Sequence, residues 1–372
     1  MKKNLPRFLN IFFVFLICFV SGQHPDAAKL IREGNHLIFK NPAKAKEIAN
    51  DLYKTSGESI PQKINALLIL AQSDALLANY DSSLQYALEA KNLSETLSDE
   101  SFKIRIYAYL SYHYYRLNVN DKAWSYIDNA EKILKTYKLP DSLGYLKGNI
   151  FFTKASMYQK ELDCTYAINY FNEAIKAYNE SIKNEYANTN LGLAYSQKGY
   201  CELELSQLSE AQNSFKRAIS NSEKNHDIRN NIYAVTGLAR VDALRGNFAE
   251  SNRVLLQELQ KTKEGNLKHL QNDIYKFIAY NYLKLKDTKN YEFYDKLYKN
   301  SQSEFSKTES GSINHIINDA SKNKEEDTHP KYLIVGIIII FVLVILIIFI
   351  IFRIRNMKKR MKNTQSDSSS IN

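Results

Sequence analysis

Proline and glycine are scarce, at six and twelve in 372 residues. A sheet protein with many tight turns needs more of both, because Pro presets and Gly permits the turn dihedrals. Cysteine is scarcer still. Cys18 lies in an apolar run near the start, which leaves Cys164 and Cys201, too few for a disulfide framework. Two cysteines suffice for a single bridge, but the expectation is a buried, unreactive pair of thiols.

Motifs of chemistry are missing as well. His24, His36, His113, His226, His269, His315 and His329 are scattered singly, with no two at metal-ligand spacing and no HExxH. There is no Gly-rich phosphate loop and no Gly-x-Ser-x-Gly elbow. Carboxylate pairs such as Glu202/Glu204 and Asp99/Glu100 are expected on a solvated face or in a loop. No catalytic residue, metal site or cofactor is therefore expected, and the chain is not expected to be an enzyme.

A basic surface is absent where a nucleic acid would need it. The formal charge is +10, but residues 1–22 hold three of those charges, Lys331 one, and residues 353–372 a net five. The long stretch from Gln23 to Pro330 is left with a single net charge. Duplex binding needs Lys and Arg gathered on one face of the folded part, so the basic excess is assigned to targeting and topology.

Two hydrophobic runs are present, one at each end. Lys2, Lys3 and Arg7 precede Ile11 to Val20, ten apolar residues, and Val20-Ser21-Gly22 offers small residues for cleavage before Gln23. That order reads as a secretory signal peptide over residues 1–22; the run is short of the roughly 20 residues that span a bilayer. Leu333 to Phe352 is a run of 20 residues with no charged or polar side chain. At about 1.5 Å per residue it covers about 30 Å, so residues 332–352 are expected to be a transmembrane helix. Arg353, Arg355, Lys358, Lys359, Arg360 and Lys362 follow it, which places residues 353–372 as a basic cytoplasmic tail and the rest outside the inner membrane. Residues 301–331 turn polar and are read as a stalk.

Between these ends the sequence repeats. Phe151, Ala155, Tyr158, Ala167, Phe171 and Ala174 set a frame of bulky, small and aromatic residues at helical spacing, a break, then small, bulky, small. It recurs as Tyr107, Ser111, Tyr114, Ala123, Ile127, Ala130, and as Tyr195, Gly199, Glu202, Ala211, Phe215, Ala218. Weaker copies begin at Leu67 and Val235. The small residue of each second helix falls at 83, 123, 167, 211 and 251, spaced by 40, 44, 44 and 40. Small residues let paired helices approach and bulky ones fill the gaps; each hairpin then buries its apolar face only by stacking on the next. Tyr275, Ile278, Ala279 and Tyr282 suggest a terminal capping hairpin, and residues 26–54 an opening one.

This frame resembles the tetratricopeptide repeat, over roughly residues 24–300. Gly246, Phe248 and the set Gly199, Ala211, Phe215, Ala218 match best. The family's repeat is about 34 residues, so spacings of 40 to 44 imply longer helices; Leu67, Tyr107, Phe151, Tyr195 and Val235 stand where the family has Trp. The resemblance implies an all-α fold, an α-solenoid of about six to seven hairpins over residues 23–300. It also implies a concave face lined by first-helix residues two before, one after and five after the Trp position. Here that selects Asn65, Gln72, Arg105, Tyr112, Asn149, Ser156, Tyr200, Tyr233, Arg240 and Tyr280 as partner-binding residues. Tyr, Arg and amides suit a protein or peptide ligand. The expected function is a membrane-anchored, extracytoplasmic scaffold or sensor.

A second class is a signal transducer. Signal peptide, long-repeat array, one membrane helix and a basic segment in that order resemble bacterial membrane-anchored regulators, which continue into an AraC-type helix-turn-helix or a kinase. Here 20 residues follow the membrane run. The tail is therefore expected not to bind DNA and to signal, if at all, through a separate partner.

Overall fold

The computed structural model describes residues 26–304, apart from Asn266. The expected signal peptide, most of the stalk, the membrane helix and the basic tail lie outside the described residues. Among the described residues no helix is long and apolar enough to cross a membrane.

Fourteen α-helices pair into seven hairpins among the described residues. They are α1 (Ala27–Leu37) with α2 (Pro42–Thr55), α3 (Ile60–Leu76) with α4 (Tyr80–Ser94), and α5 (Glu100–Arg116) with α6 (Asn120–Thr136). Then come α7 (Tyr145–Glu161) with α8 (Cys164–Glu180), α9 (Glu185–Glu204) with α10 (Leu208–Lys224), and α11 (Ile228–Leu244) with α12 (Phe248–Glu264). Helix α13 (Lys268–Lys284) pairs with α14 over 288–304. Most have 17 residues; α9 has 20, one turn more.

Several starts and reversals have a local cause. Asp26, Asn41, Asp99, Asp163, Asn184 and Asp227 accept backbone N–H bonds of the turn they open, satisfying donors a helix leaves unpaired. Within five hairpins the chain reverses through one residue with positive φ: Ala78, Asn118, Ser206, Gly246 and Lys286. Only Gly246 takes that conformation without steric cost, and Asn118 takes it readily. The α7–α8 turn is a residue shorter and has none; Asp163, in extended backbone, caps α8 directly.

The small residues of the frame sit at the helix contacts. Ser83, Ala123, Ala167, Ala211 and Ser251 are all 0% exposed. Ser111 and Ser251 satisfy their hydroxyls across the hairpin, donating to the carbonyls of Ala123 and Ala239 at 2.7 Å each. Four residues on from each, Ala87, Ile127, Phe171, Phe215 and Leu255 are also fully buried. The same position in α14 is Asp295, paired with Lys299 at 2.7 Å. In α14 a charged pair thus stands where the other second helices bury a side chain, while Phe293 of the same helix is exposed.

Two expectations are corrected. Cys164 and Cys201 are joined by a disulfide. Thiols that meet in a well-packed helix junction with their Cα atoms 5.0 Å apart are within bridging range. Glu202 is 4% exposed rather than solvated; it lies beside Lys198 at 3.5 Å, whose charge compensates its burial. Glu204 is exposed, and Asp99 does sit at a helix start.

Candidate peptide groove on the first helices

The first helices of successive hairpins pack side by side, α5 on α7, α7 on α9, α9 on α11 and α11 on α13. Polar side chains tie them in a row. Arg105 Nη2 donates to Asn65 Oδ1 at 2.7 Å, from α5 to α3. Arg105 also acts on the Tyr145 hydroxyl of α7, whose pKa is raised by burial first and pulled back by that guanidinium. Asn190 Nδ2 donates to Asn149 Oδ1 at 2.9 Å, joining α9 to α7, and Tyr178 OH donates to the same oxygen at 2.9 Å. Asn230 Nδ2 reaches the Thr189 carbonyl at 3.2 Å, joining α11 to α9.

Beyond this amide row lies an aromatic recess. Tyr200 and Tyr233 have ring centroids 4.8 Å apart, and Tyr200 OH donates to the Tyr233 carbonyl at 3.1 Å. The Arg240 guanidinium lies 4.2 Å over the Phe277 ring and 5.8 Å over Tyr200, a cation–π position. Tyr112 stacks loosely on Phe152 and Tyr115, at 6.1 and 6.2 Å.

Two electrostatic features mark this face. The Tyr233 hydroxyl is pushed up by burial first, then by Asp273, and also by Tyr112 and Tyr115. Those last two belong to α5, three first helices back along the row. Asp273 is exposed to solvent, yet its carboxyl is raised because protein surrounds it, against the pull of Lys276 and Arg240.

The residues selected from sequence divide accordingly. Asn65 and Arg105 are brought together, as are Tyr200, Tyr233 and Arg240; Asn149 lies in the amide row and Tyr112 beside Phe152. Tyr280 is 42% exposed, with Lys284 Nζ 5.3 Å over its ring. Ser156 is 4% exposed and its hydroxyl is engaged by the Phe152 carbonyl; Tyr200 is 8% exposed and its hydroxyl is also used. Both therefore support the wall from behind. Gln72 bonds back to Leu68 O of its own helix at 3.1 Å. Asn190, Asn230, Asp273 and Phe277 were not selected. Their signal was present: Asn149, Asn190 and Asn230 stand 41 and 40 apart. A frame with offsets of two before, one after and five after the Trp position passes over Asn190 and Asn230, because each lies five residues before that position, Tyr195 and Val235.

No known family profile matches the chain, and no curated protein matches it. Solved structures do. A Rap protein complexed with competence and sporulation factor is 15% identical with a TM-score of 0.55, covering 76% of this chain and 87% of that one. NprR in complex with its cognate peptide NprX is 15% identical with a TM-score of 0.51, covering 79% and 87%. A signal transduction ATPase with a tetratricopeptide repeat sensor, from Pyrococcus horikoshii, is 12% identical with a TM-score of 0.53, covering 77% of this chain and 43% of that one. At such identities the likeness establishes architecture: the chain has a tetratricopeptide-like helical repeat fold, similar to that of the Rap and NprR proteins.

Proposed function

We propose that this chain is an extracytoplasmic, membrane-anchored scaffold or sensor without catalytic activity, which binds a peptide or an extended protein segment in the groove of its first helices. The observation that carries the reading is the row Asn65, Arg105, Asn149, Asn190 and Asn230 beside an aromatic recess. Amide and guanidinium groups offer the donors and acceptors an extended main chain needs. Tyr233, Phe277 and Tyr280 offer apolar area with little entropy to lose. That a Rap protein and NprR hold their factor or peptide on a similar fold supports the reading. The anchoring rests on the hydrophobic runs at residues 11–20 and 333–352. The Cys164–Cys201 bridge agrees with an oxidising compartment.

A photo-crosslinker placed at Tyr280, in the groove, is expected to capture a discrete adduct in native membranes. The same group at Lys216, exposed on α10, is expected to capture none. Identical adducts from both positions would remove the groove from the proposal. Protease added outside the intact membrane should digest the array; protection of residues 26–304 would overturn the topology.

A further inference from the structure

The disulfide occupies an informative place. Helix α8 leaves the turn that joins it to α7, runs to residues 181–184, and α9 returns antiparallel beside it. Cys164 is the first residue of α8 and Cys201 lies in the last turn of α9. The junction of the fourth and fifth hairpins is thus tied covalently at both ends, by the backbone at 181–184 and by the bridge at the opposite end. Among the described residues every other junction is tied covalently at one end alone. Where those others meet at the far end, they do so through groups such as Lys160 on Asn118 and Arg245 on Gln212.

The bridge also belongs to a run of three consecutive residues, each meeting a different helix. A Cβ added at Gly199 would lie 2.9 Å from the Phe215 ring of α10. Tyr200 packs on Tyr233 of α11, and Cys201 is bonded to α8. Successive residues of a helix point about 100° apart, so these three contacts set the rotation of α9 about its axis. Tyr200, which backs the groove, is held between the other two.

We infer that the Cys164–Cys201 bridge is a positioning device: it fixes the opening angle between the fourth and fifth hairpins, and so holds the amide row of the groove in register with its aromatic recess. The remaining junctions keep the small hinge freedom of stacked repeats. The inference concerns the geometry of the junction and stands whether or not a peptide occupies the groove. Both sulfurs belong to buried residues, 2% and 0% exposed, so the bridge is a fixed staple that reductant does not reach in the folded chain.

Spin labels carried on p-acetylphenylalanine test this in the full-length chain without using cysteine. One pair, at Asn169 and Lys216, spans the stapled junction; a second, at Lys216 and Ala249, spans the next one. All three positions are exposed. In the unaltered chain the first distance distribution is expected to be the narrower. Replacing both cysteines by serine should broaden it about twofold and leave the second unchanged, as release of one hinge does. Equal widths across both junctions in the unaltered chain overturn the inference, and that comparison needs no variant to fold. A phosphine reductant provides the other arm: with Cys18 replaced by serine, no thiol should titrate until denaturant is added. Thiols that titrate in the folded chain would show a bridge that opens, and would overturn the fixed staple.

Discussion

Replacing Gly237 by alanine is expected to destabilise the array by about 1–3 kcal/mol, the usual cost of overpacking a core, even though alanine is the better helix former by about 1 kcal/mol. The cause is the Phe215 ring. It is 0% exposed and lies between two helices, with Gly199 of α9 on one side and Gly237 of α11 on the other. A methyl group on Gly237 would fall inside the ring edge, and the ring cannot yield, since Tyr200 packs against it at 5.0 Å. Gly192 is the control. It also lies in a helix, but a Cβ there meets the end of the Asn221 side chain at 2.8 Å, which can swing aside. Gly192→Ala should therefore leave stability unchanged or raise it by up to about 1 kcal/mol. Thermal unfolding of the two variants decides the matter: opposite signs support the packing, and stabilisation by both would refute it. Phe215→Leu should relieve Gly237→Ala, giving a coupling energy of about 1 kcal/mol or more in a double-mutant cycle.

Gly237 and Phe215 also mark where the sequence was readable. Phe215 and the small residues at 83, 123, 167, 211 and 251 lie in the frame, because each answers a steric demand that recurs in every hairpin. Gly237 lies outside it, because the close approach it permits is between hairpins, and stacking distances leave no period in a single helix. The reversals show the same division. Gly246 and Asn118 advertise positive φ, whereas Ala78, Ser206 and Lys286 adopt it only because the hairpin imposes it. The bridge was misjudged for a related reason: 37 residues separate the cysteines, and only the antiparallel return of α9 along α8 brings them together. Of the residues that the family geometry selects, Asn65, Arg105, Asn149, Tyr233 and Arg240 make contacts between helices. Asn190 and Asn230 were not selected, because both lie five residues before the Trp position, an offset outside the family frame. Asp273 and Phe277 meet Arg240 only through the packing of α13 on α11, a contact between hairpins that no local pattern encodes.

Acidification from pH 6.5 to pH 4 is expected to cost the folded array about 3 kcal/mol through one side chain, His113. The residue is 4% exposed, with its ring stacked on Tyr109 at 6.0 Å. Its Nε2–H donates to the Tyr80 carbonyl of α4 at 3.2 Å. Burial lowers its pKa to about 4, Arg116 on the same helix adds repulsion, and the bond to the Tyr80 carbonyl offsets only part of this. Between that value and the ordinary 6.5 the unfolded chain binds the proton and the folded chain does not. The stabilisation is therefore complete above pH 6.5 and is lost as pH falls towards 4, with a limiting slope of about 1.4 kcal/mol per pH unit. The neighbouring polar groups do not compensate. Asp74 is fully buried but engaged by Lys46 at 2.6 Å, and Ser83 is bonded to the Tyr109 hydroxyl at 2.8 Å. Asp227 and Asp273 work in the opposite sense, since burial raises their carboxyls and makes the folded state the better proton acceptor. The curve of the unaltered chain thus mixes several groups, and the difference from a variant isolates one. His113→Gln keeps a donor for the Tyr80 carbonyl but cannot take up a proton, so denaturant unfolding of that variant should follow a flatter pH profile between 4 and 6.5. Parallel profiles for the two chains would mean that His113 is protonated without penalty in the fold, and that the junction of α4 and α5 is open to water.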